Sequence, residues 1–278
     1  MRAVSFLLFP CVLLISACTN MFFQPLKQHV TTPEKYGIVY EDIYFQYDTG
    51  PELHGWWFPA SLPDEAKVKA NILFLHGNAQ NISTHSGFVY WLTQHSYNVF
   101  IFDYRGYGKS AGSITLEGAL QDINSARKYI ESRISADSKL FVVAHSLGAS
   151  LAVYNLARNP QAVDGAVLIS PFSDYTKVAQ EMMSRHWLTW MFKWVAPVTV
   201  NGEYDPIDYV ALMPEVPKLF AYSEQDQVID PDHVKTLYKS ASHNRFIEKF
   251  SGGHNNVFSY KENQSVLLNY LDNWAVQE

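Results

Sequence analysis

Short apolar segments with the character of β-strands alternate with segments of helical spacing along most of the chain. The run ANILFLHG, residues 70–77, is almost wholly apolar, which is typical of a strand covered on both faces of a sheet. By contrast, residues 116–130 place their apolar side chains along one face of a helix. This alternation predicts an α/β fold with a mostly parallel central sheet flanked by helices. Further strands are predicted within residues 98–104, 139–144, 165–171, 218–223 and 245–250, and further helices within residues 83–95, 147–158, 231–240 and 257–274.

Two parts of the chain depart from the alternation. Residues 38–47 and 52–60 read as two strands joined by the turn DTGP, which predicts an antiparallel edge of the sheet. Between the sixth and seventh predicted strands lies an insertion of helical character, at about residues 172–216. We expect it to form a helical lid over the carboxyl ends of the strands, so that residues 18–278 make up a single domain.

The first residues differ from the rest of the chain. After Arg2, residues 3–17 form an apolar run that is shorter than the roughly 20 residues needed to span a bilayer. Such a run is typical of the core of an export signal. It ends in Ile-Ser-Ala-Cys, which resembles the lipobox of bacterial lipoproteins and implies a signal peptide at residues 1–17 and acylation of Cys18. An ordinary cleaved signal and an uncleaved anchor are the alternatives.

Composition and the N-terminus together narrow the location and the class of function. The lipobox resemblance implies a protein held on the periplasmic side of a membrane, and Thr19 favours the outer membrane. Cys11 and Cys18 both lie in the first segment, so neither a cysteine nucleophile nor a thiolate metal site is predicted for the folded body. The net charge is −6 without any basic stripe, which predicts no nucleic-acid partner. No H-E-x-x-H motif occurs, so no metal or other cofactor is predicted.

One serine lies where a predicted strand meets a predicted helix, in FVVAHSLGASLAV. A nucleophile elbow turns so sharply that the residues two before and two after the serine must be small, and its hydroxyl then projects above the sheet. Ala144 and Gly148 meet this requirement around Ser146. Ser110 in GKSAG fits the literal G-x-S-x-G pattern, but it belongs to a glycine-rich loop beyond its strand. GKS is not a phosphate-binding loop either, because Asp103 stands where that motif needs its first glycine.

A serine hydroxyl needs a base to remove its proton. His254 in SGGHNN directly follows the last predicted strand, where two glycines let the chain turn the imidazole over the edge of the sheet, and it is the predicted base. A surface-loop histidine is the alternative reading of this residue. His145 precedes the serine on a turn where neighbouring side chains diverge, so we predict a structural role for it. His233 and His243 are predicted to be solvated.

The base in turn needs a carboxylate that orients it. Asp226 in AYSEQDQVIDP lies on the loop at the carboxyl end of the penultimate strand, with Val228 and Ile229 to bury it, and is the predicted acid. The alternatives at this position are Glu224, Asp230 and Asp174.

Two backbone N–H groups are required for an oxyanion hole. The first is expected from Leu147, the residue after the candidate nucleophile. The second is expected from Asn78 in LFLHGNAQN, where His76 and Gly77 shape the loop after a buried strand.

HGN at residues 76–78, DYRGYGKSAG at residues 103–112 and AHSLG at residues 144–148 occur in the order seen in the α/β-hydrolase superfamily, which the chain resembles. These motifs are similar to those of one branch of the superfamily, which includes bacterial membrane-associated hydrolases, bud-emergence-type proteins and protein depalmitoylases. MFFQP at residues 21–25 is similar to the segment that opens many such domains. Ala144 and Ala149 depart from the glycines that are usual in the branch, and we expect the elbow to tolerate the first change.

The resemblance implies hydrolysis of an acyl ester or thioester through a covalent acyl-enzyme, with Ser146, His254 and Asp226 as the catalytic triad. A small-molecule or lipid-like acyl compound is then the expected substrate, and the membrane is a partner through the lipid anchor. A serine peptidase of the same fold and a non-catalytic envelope lipoprotein with this fold are the alternatives.

The predicted insertion is unusually apolar. Its tryptophans and one methionine recur at steps of three or four residues, as on one face of a helix. This stripe is expected to pack on the domain, to line an acyl pocket or to rest on a membrane. The apolar residues are Met182, Met183, Trp187, Trp190, Met191, Phe192 and Trp194.

Overall fold

Within the described residues the protein is built around an eight-stranded sheet. The computed structural model describes residues 22–62, 67–160, 163–185, 187, 190–200 and 202–276. The predicted signal peptide, residues 1–17, and Cys18 lie outside them. The strands are β1 (Gln24–Pro25), β2 (Glu41–Phe45), β3 (Leu53–Phe58), β4 (Ala70–Leu75), β5 (Ala79–Gln80), β6 (Tyr97–Asp103), β7 (Leu140–His145), β8 (Gly165–Ile169), β9 (Lys218–Tyr222) and β10 (Arg245–Lys249).

The main sheet has the spatial order β10-β9-β8-β7-β4-β6-β3-β2, and β1 and β5 form a separate parallel pair. The six strands from β10 to β6 in this order run parallel to one another. Strand β3 pairs antiparallel with both β6 and β2. The predicted α/β-hydrolase fold with a mostly parallel sheet and an antiparallel edge is therefore confirmed.

Helices connect the strands and cover both faces of the sheet. Helices α2, α3 and α7 begin at the predicted residues, and α3 and α7 also end where predicted. The α-helices are α1 (Ile82–His85), α2 (Leu116–Arg133), α3 (Leu147–Arg158), α4 (Tyr175–Arg185), α5 (Ala196–Thr199), α6 (Pro206–Tyr209), α7 (Pro231–Ser240) and α8 (Lys261–Val276).

The helical stretch predicted at residues 83–95 is present, but it is not one continuous α-helix. The segment instead forms α1 and two 3₁₀ turns, Ser86–Phe88 and Tyr90–His95. Glycine at 87, valine at 89 and aromatic residues at 88, 90 and 91 have low helix propensity, which explains the early end of α1. The last helix similarly starts at Lys261, after a 3₁₀ turn, Val257–Ser259.

Two apolar clusters lie on opposite faces of the sheet. Successive residues of β4 alternate between them: Leu73 and Leu75 join one cluster, and Ile72 and Phe74 join the other. This is the period of two expected for a strand buried on both faces. The first cluster includes side chains of α2, α3 and α7, and the second includes side chains of α8.

The insertion between the sixth and seventh strands of the main sheet, β8 and β9, is helical, as predicted. It contains α4, α5 and α6 together with 3₁₀ turns at Trp190–Val195, Gly202–Tyr204 and Val210–Leu212. In the described part of the chain, no helix has the length and apolar character needed to cross a bilayer.

Helix α3 packs directly against the end of β4. At Gly148, in its first turn, an added Cβ would lie 2.3 Å from the Leu75 carbonyl oxygen and 2.5 Å from the His76 carbonyl oxygen. Both contacts are with backbone, which cannot turn away as a side chain can. Glycine at this position therefore sets how closely α3 approaches the sheet.

We predict that Gly148→Ala lowers the free energy of unfolding by about 1–3 kcal/mol, because α3 must shift away from β4. Gly87→Ala is the matched control, since an added Cβ there meets nothing within 4 Å. Urea unfolding followed by circular dichroism measures both variants. Equal stability of the two variants would contradict the packing described here.

Candidate active site

Ser146 occupies the one-residue turn between β7 and α3. Its backbone has φ 55° and ψ −122°, a conformation that costs a non-glycine residue about 1–3 kcal/mol. The Ser146 N–H donates to the Ile169 carbonyl oxygen at 2.8 Å, which ties the turn to the adjacent strand. The strain is thus held by the strand before the serine, the helix after it and the neighbouring strand.

His254 lies within hydrogen-bonding distance of Ser146. Its Nε2 is 2.9 Å from the Ser146 Oγ, and both residues are only 8% exposed. The imidazole is brought there by the loop after β10, which turns at Gly252 with φ 93°, a value suited to glycine. The structure therefore brings together two residues that are 108 positions apart in the chain.

Asp226 completes a line of three side chains. Its Oδ2 is 2.7 Å from the His254 Nδ1, and its Oδ1 accepts the N–H groups of Val228 at 2.8 Å and Ile229 at 2.9 Å. Burial raises the pKa of Asp226, but the contact with His254 and the two N–H groups outweigh it and lower the pKa to about 2. An ionised carboxylate only accepts, so His254 Nδ1–H donates to it and Nε2 is left to accept from the Ser146 hydroxyl.

The rival carboxylates make other contacts. Glu224 pairs with Lys235 at 3.1 Å, and Asp230 caps α7 by accepting the Asp232 N–H at 2.9 Å. Asp174 accepts the Lys177 N–H in the first turn of α4. Of the four candidates, Asp226 is the one in contact with His254.

The loop that carries Asn78 is fixed from outside the pocket. The Asn78 carbonyl oxygen accepts the Tyr107 hydroxyl at 2.5 Å and the Gln24 N–H at 2.9 Å. Leu147 is the first residue of α3, where N–H groups have no acceptor within the helix. Asn78 and Leu147 line the same pocket as Ser146.

Two buried histidines hold the loops around the serine. His145 Nε2 donates to the His254 carbonyl oxygen at 2.9 Å, and His85 Nε2 donates to the Ala79 carbonyl oxygen at 2.8 Å. Burial lowers the pKa of both imidazoles, so both are neutral donors at neutral pH. The sequence indicated a structural role for His145. It assigned no role to His85, Tyr107 or Gln24, because no motif indicates which backbone carbonyl each of them contacts.

Two polar residues are placed differently from the sequence expectation. His233 was predicted to be solvated, but it is fully buried where α7 packs against the insertion. Its Nδ1 lies 2.7 Å from the Ser173 Oγ and its Nε2 lies 3.1 Å from Glu181 of α4. Ser110, rejected as the nucleophile, is also buried, and its hydroxyl donates to the Asp103 carbonyl oxygen at 2.6 Å.

The pocket at Ser146 has a volume of about 140 Å³. The lining combines the polar groups described above with side chains that form an apolar wall. None of the described residues that line the pocket is acidic. The apolar lining residues are Phe22, Phe172, Val178, Met182, Val228 and Ile229.

The tryptophans of the insertion do not line this pocket. Trp187 is 78% exposed, Trp190 is 53% exposed and Trp194 is 69% exposed. Met182, another apolar residue of the insertion, does line the pocket. Of the three readings of the stripe, packing on the domain holds for Met183 but not for the three exposed tryptophans.

A family model described as "serine aminopeptidase, S33" matches residues 66–211, just over half of the chain. The α/β-hydrolase domain-containing protein WAV2 of Arabidopsis thaliana is 30% identical over 241 residues, which cover 82% of this chain and 76% of WAV2. The lysophosphatidylserine lipase ABHD12 of Xenopus tropicalis is 29% identical over 231 residues, which cover 74% of this chain and 58% of ABHD12.

Solved structures share the fold. The esterase Pf2001 of Pyrococcus furiosus superimposes with a TM-score of 0.73 at 20% sequence identity, covering 91% of this chain and 99% of the esterase. The relatives also fit the branch that the sequence motifs indicated. The family model and the relatives match a chain whose sheet order and whose serine at the turn between β7 and α3 are those of an α/β-hydrolase. The chain therefore belongs to the α/β-hydrolase superfamily, in the family described as serine aminopeptidase, S33.

Proposed function

We propose that the protein is a serine hydrolase that cleaves acyl ester or thioester bonds through a covalent acyl-enzyme. The observation that carries this proposal is the hydrogen-bonded line from the Ser146 Oγ through His254 to Asp226, beside a pocket with one apolar wall. Esterase and lipase names among the similar proteins support the same class of reaction.

In the proposed reaction the Ser146 Oγ attacks the carbonyl carbon of the substrate while His254 Nε2 takes the hydroxyl proton. Asp226 accepts from His254 Nδ1–H and stabilises the imidazolium that forms. The imidazolium then protonates the departing alcohol or thiol, which leaves the acyl group on Ser146. A water that gives its proton to His254 hydrolyses the acyl-enzyme and restores the serine.

The negative charge of each tetrahedral intermediate requires donors that are already in place. We assign this role to the backbone N–H groups of Leu147 and Asn78, each worth about 10²–10³ in rate. The contacts of Tyr107 and Gln24 with the Asn78 carbonyl oxygen hold this peptide group before substrate arrives. His85 holds the next residue, Ala79, in the same way.

An acyl chain suits the apolar wall better than a peptide N-terminus does. An aminopeptidase must pair the α-ammonium of its substrate, and a buried charge without a partner costs about 3–5 kcal/mol. The described residues that line the pocket offer no carboxylate for such a pair. Although the matching family model is described as a serine aminopeptidase, the lining favours an uncharged acyl group.

A fluorophosphonate probe tests the nucleophile, because it reacts with an activated serine. We expect the wild type to be labelled and Ser146→Ala to lose labelling. Ser173→Ala is a matched control, since the Ser173 hydroxyl also contacts a buried imidazole, at 2.7 Å, and Ser110→Ala is a second control. Both controls should keep the labelling rate within about twofold. Labelling of Ser146→Ala at the wild-type rate would remove the proposed mechanism.

Two matched esters test whether the pocket prefers an uncharged acyl group to an aminoacyl group. The p-nitrophenyl esters of 4-methylpentanoic acid and of leucine differ by one α-amino group. Rates are measured at a pH where the amine is protonated, and spontaneous hydrolysis is subtracted. We expect kcat/KM to be at least about 100-fold higher for the 4-methylpentanoate, because leaving the ammonium of the leucine ester unpaired costs about 3 kcal/mol. A preference for the leucine ester would instead support the aminopeptidase.

The proposal includes export and a lipid anchor at Cys18, for which the lipobox-like segment is the support. Phe22 lines the pocket, and its ring packs on Phe172 and Tyr175 beside the insertion. Four residues span at most about 14 Å, so an acylated Cys18 would keep the pocket close to the lipid surface. The exposed tryptophans of the insertion are of the type that sits at membrane–water interfaces.

Metabolic labelling with an alkyne fatty acid in a bacterial host tests the anchor. We expect the full-length protein to incorporate the label and to sediment with membranes. Cys18→Ala should lose the incorporated label, whereas Cys11→Ala, the matched control in the same segment, should keep it. If Cys18→Ala incorporated as much fatty acid as the wild type, the anchor at Cys18 would be ruled out. The proposed chemistry at Ser146 would be unaffected.

A further inference from the structure

A second group of polar side chains lies outside the pocket of Ser146. His29 follows β1 in the N-terminal arm, residues 22–30, while His54 belongs to β3 and Asp103 ends β6. One ligand atom from each residue lies within 4.8 Å of those of the other two. The side chains of His54 and Asp103 are fully buried, and that of His29 is 7% exposed.

The spacing of these atoms fits a tetrahedral metal ion. Asp103 Oδ2 lies 3.2 Å from His29 Nε2 and 3.6 Å from His54 Nδ1. Ligands bound to zinc at 2.0–2.1 Å in a tetrahedron lie about 3.3–3.4 Å from one another. Both distances from Asp103 Oδ2 are therefore within about 0.3 Å of a tetrahedral edge, and the ligand atoms of the two histidines lie within 4.8 Å of each other.

One ring nitrogen of His54 is paired with a carboxylate, and the other has no hydrogen-bond partner among the described residues. His54 Nε2 lies 2.6 Å from Asp42 Oδ1, and since a carboxylate only accepts, Nε2 donates. Nδ1 is buried and has no hydrogen-bond partner in the described part of the chain. It lies 3.6 Å from Asp103 Oδ2, beyond hydrogen-bonding distance but close enough for both atoms to bind one ion.

The groups behind the three ligand atoms are also in place. Asp42 accepts from His54 and from the Trp56 indole N–H at 2.9 Å, and Asp103 Oδ1 accepts the Ile82 N–H at 2.9 Å. A histidine that donates its second N–H to a carboxylate is the usual support of a zinc ligand. Asp42 is paired with Lys109 at 3.1 Å, whereas the carboxylate of Asp103 has only the two histidines as ion-pair partners among the described residues, so a dication there would be attracted to its negative charge.

We propose that His29 Nε2, His54 Nδ1 and Asp103 Oδ2 bind one divalent transition-metal ion of the zinc class, with water as the fourth ligand. The ion is structural, because none of the three residues lines the pocket of Ser146. It fastens the N-terminal arm to β3 and β6. The arm pairs with β5 and donates to the Asn78 carbonyl oxygen, so the ion also secures the candidate oxyanion loop from behind.

Titration of tag-free, chelator-treated protein with Zn²⁺ and with Co²⁺ tests this site. We expect one equivalent to bind, with the intense visible absorption of tetrahedral Co²⁺ and a rise in Tm on Zn²⁺ addition. His29→Gln and His54→Gln should each weaken binding by more than about 100-fold, and Asp42→Asn, which leaves all three ligands intact, by about 10–100-fold. His243→Gln, which changes an exposed histidine, is the control and should bind as the wild type does.

His29→Gln keeps the test decisive if His54→Gln fails to fold, because His29 lies on the arm and outside the main sheet. Absence of stoichiometric binding by the wild type, or unchanged binding by His29→Gln, would overturn the proposal. Neither outcome affects the fluorophosphonate test at Ser146.

Discussion

The strained backbone at Ser146 is the constraint on which the rest of the structure depends. A non-glycine residue keeps φ near 55° only when its surroundings force it to, and here β7 ends and α3 begins within a single residue. Gly148 lets α3 lie against the end of β4, and the Ser146 N–H is tied to β8. The buried sheet and helix therefore supply the free energy that holds the hydroxyl at the edge of the sheet.

Parallel strands bring the other groups to the same edge. The loops after β4, β7, β9 and β10 start at neighbouring carboxyl ends, so residues far apart in the chain meet around the hydroxyl. Neutral, buried imidazoles then cross-link these loops: His145 holds the backbone of His254, and His85 holds Ala79. Because burial lowers the pKa of both rings and keeps them uncharged, they add hydrogen bonds without placing a positive charge beside His254.

Sequence reasoning succeeded where a signal is local. Strand and helix patterns are read over a few residues, and the small residues around Ser146 mark an elbow directly. It failed where a contact joins distant segments and no motif marks the residues that make it. The N-terminal arm pairs with β5 through only two residues, and His233 is buried only because α7 meets the insertion. The cluster of His29, His54 and Asp103 likewise has no spacing that a motif could record.

The N-terminal arm links both proposals to the reaction site. Its first described residue, Phe22, forms part of the apolar wall of the pocket, its strand β1 supports the loop of Asn78, and His29 reaches the buried Asp103. The proposed anchor at Cys18 precedes Phe22 and the proposed metal ligand His29 follows it, so Phe22 would lie between two attachment points. The proposed ion would tie the arm to two strands of the main sheet. Under both proposals, the same short segment would hold the protein at a lipid surface and keep the candidate oxyanion loop in place.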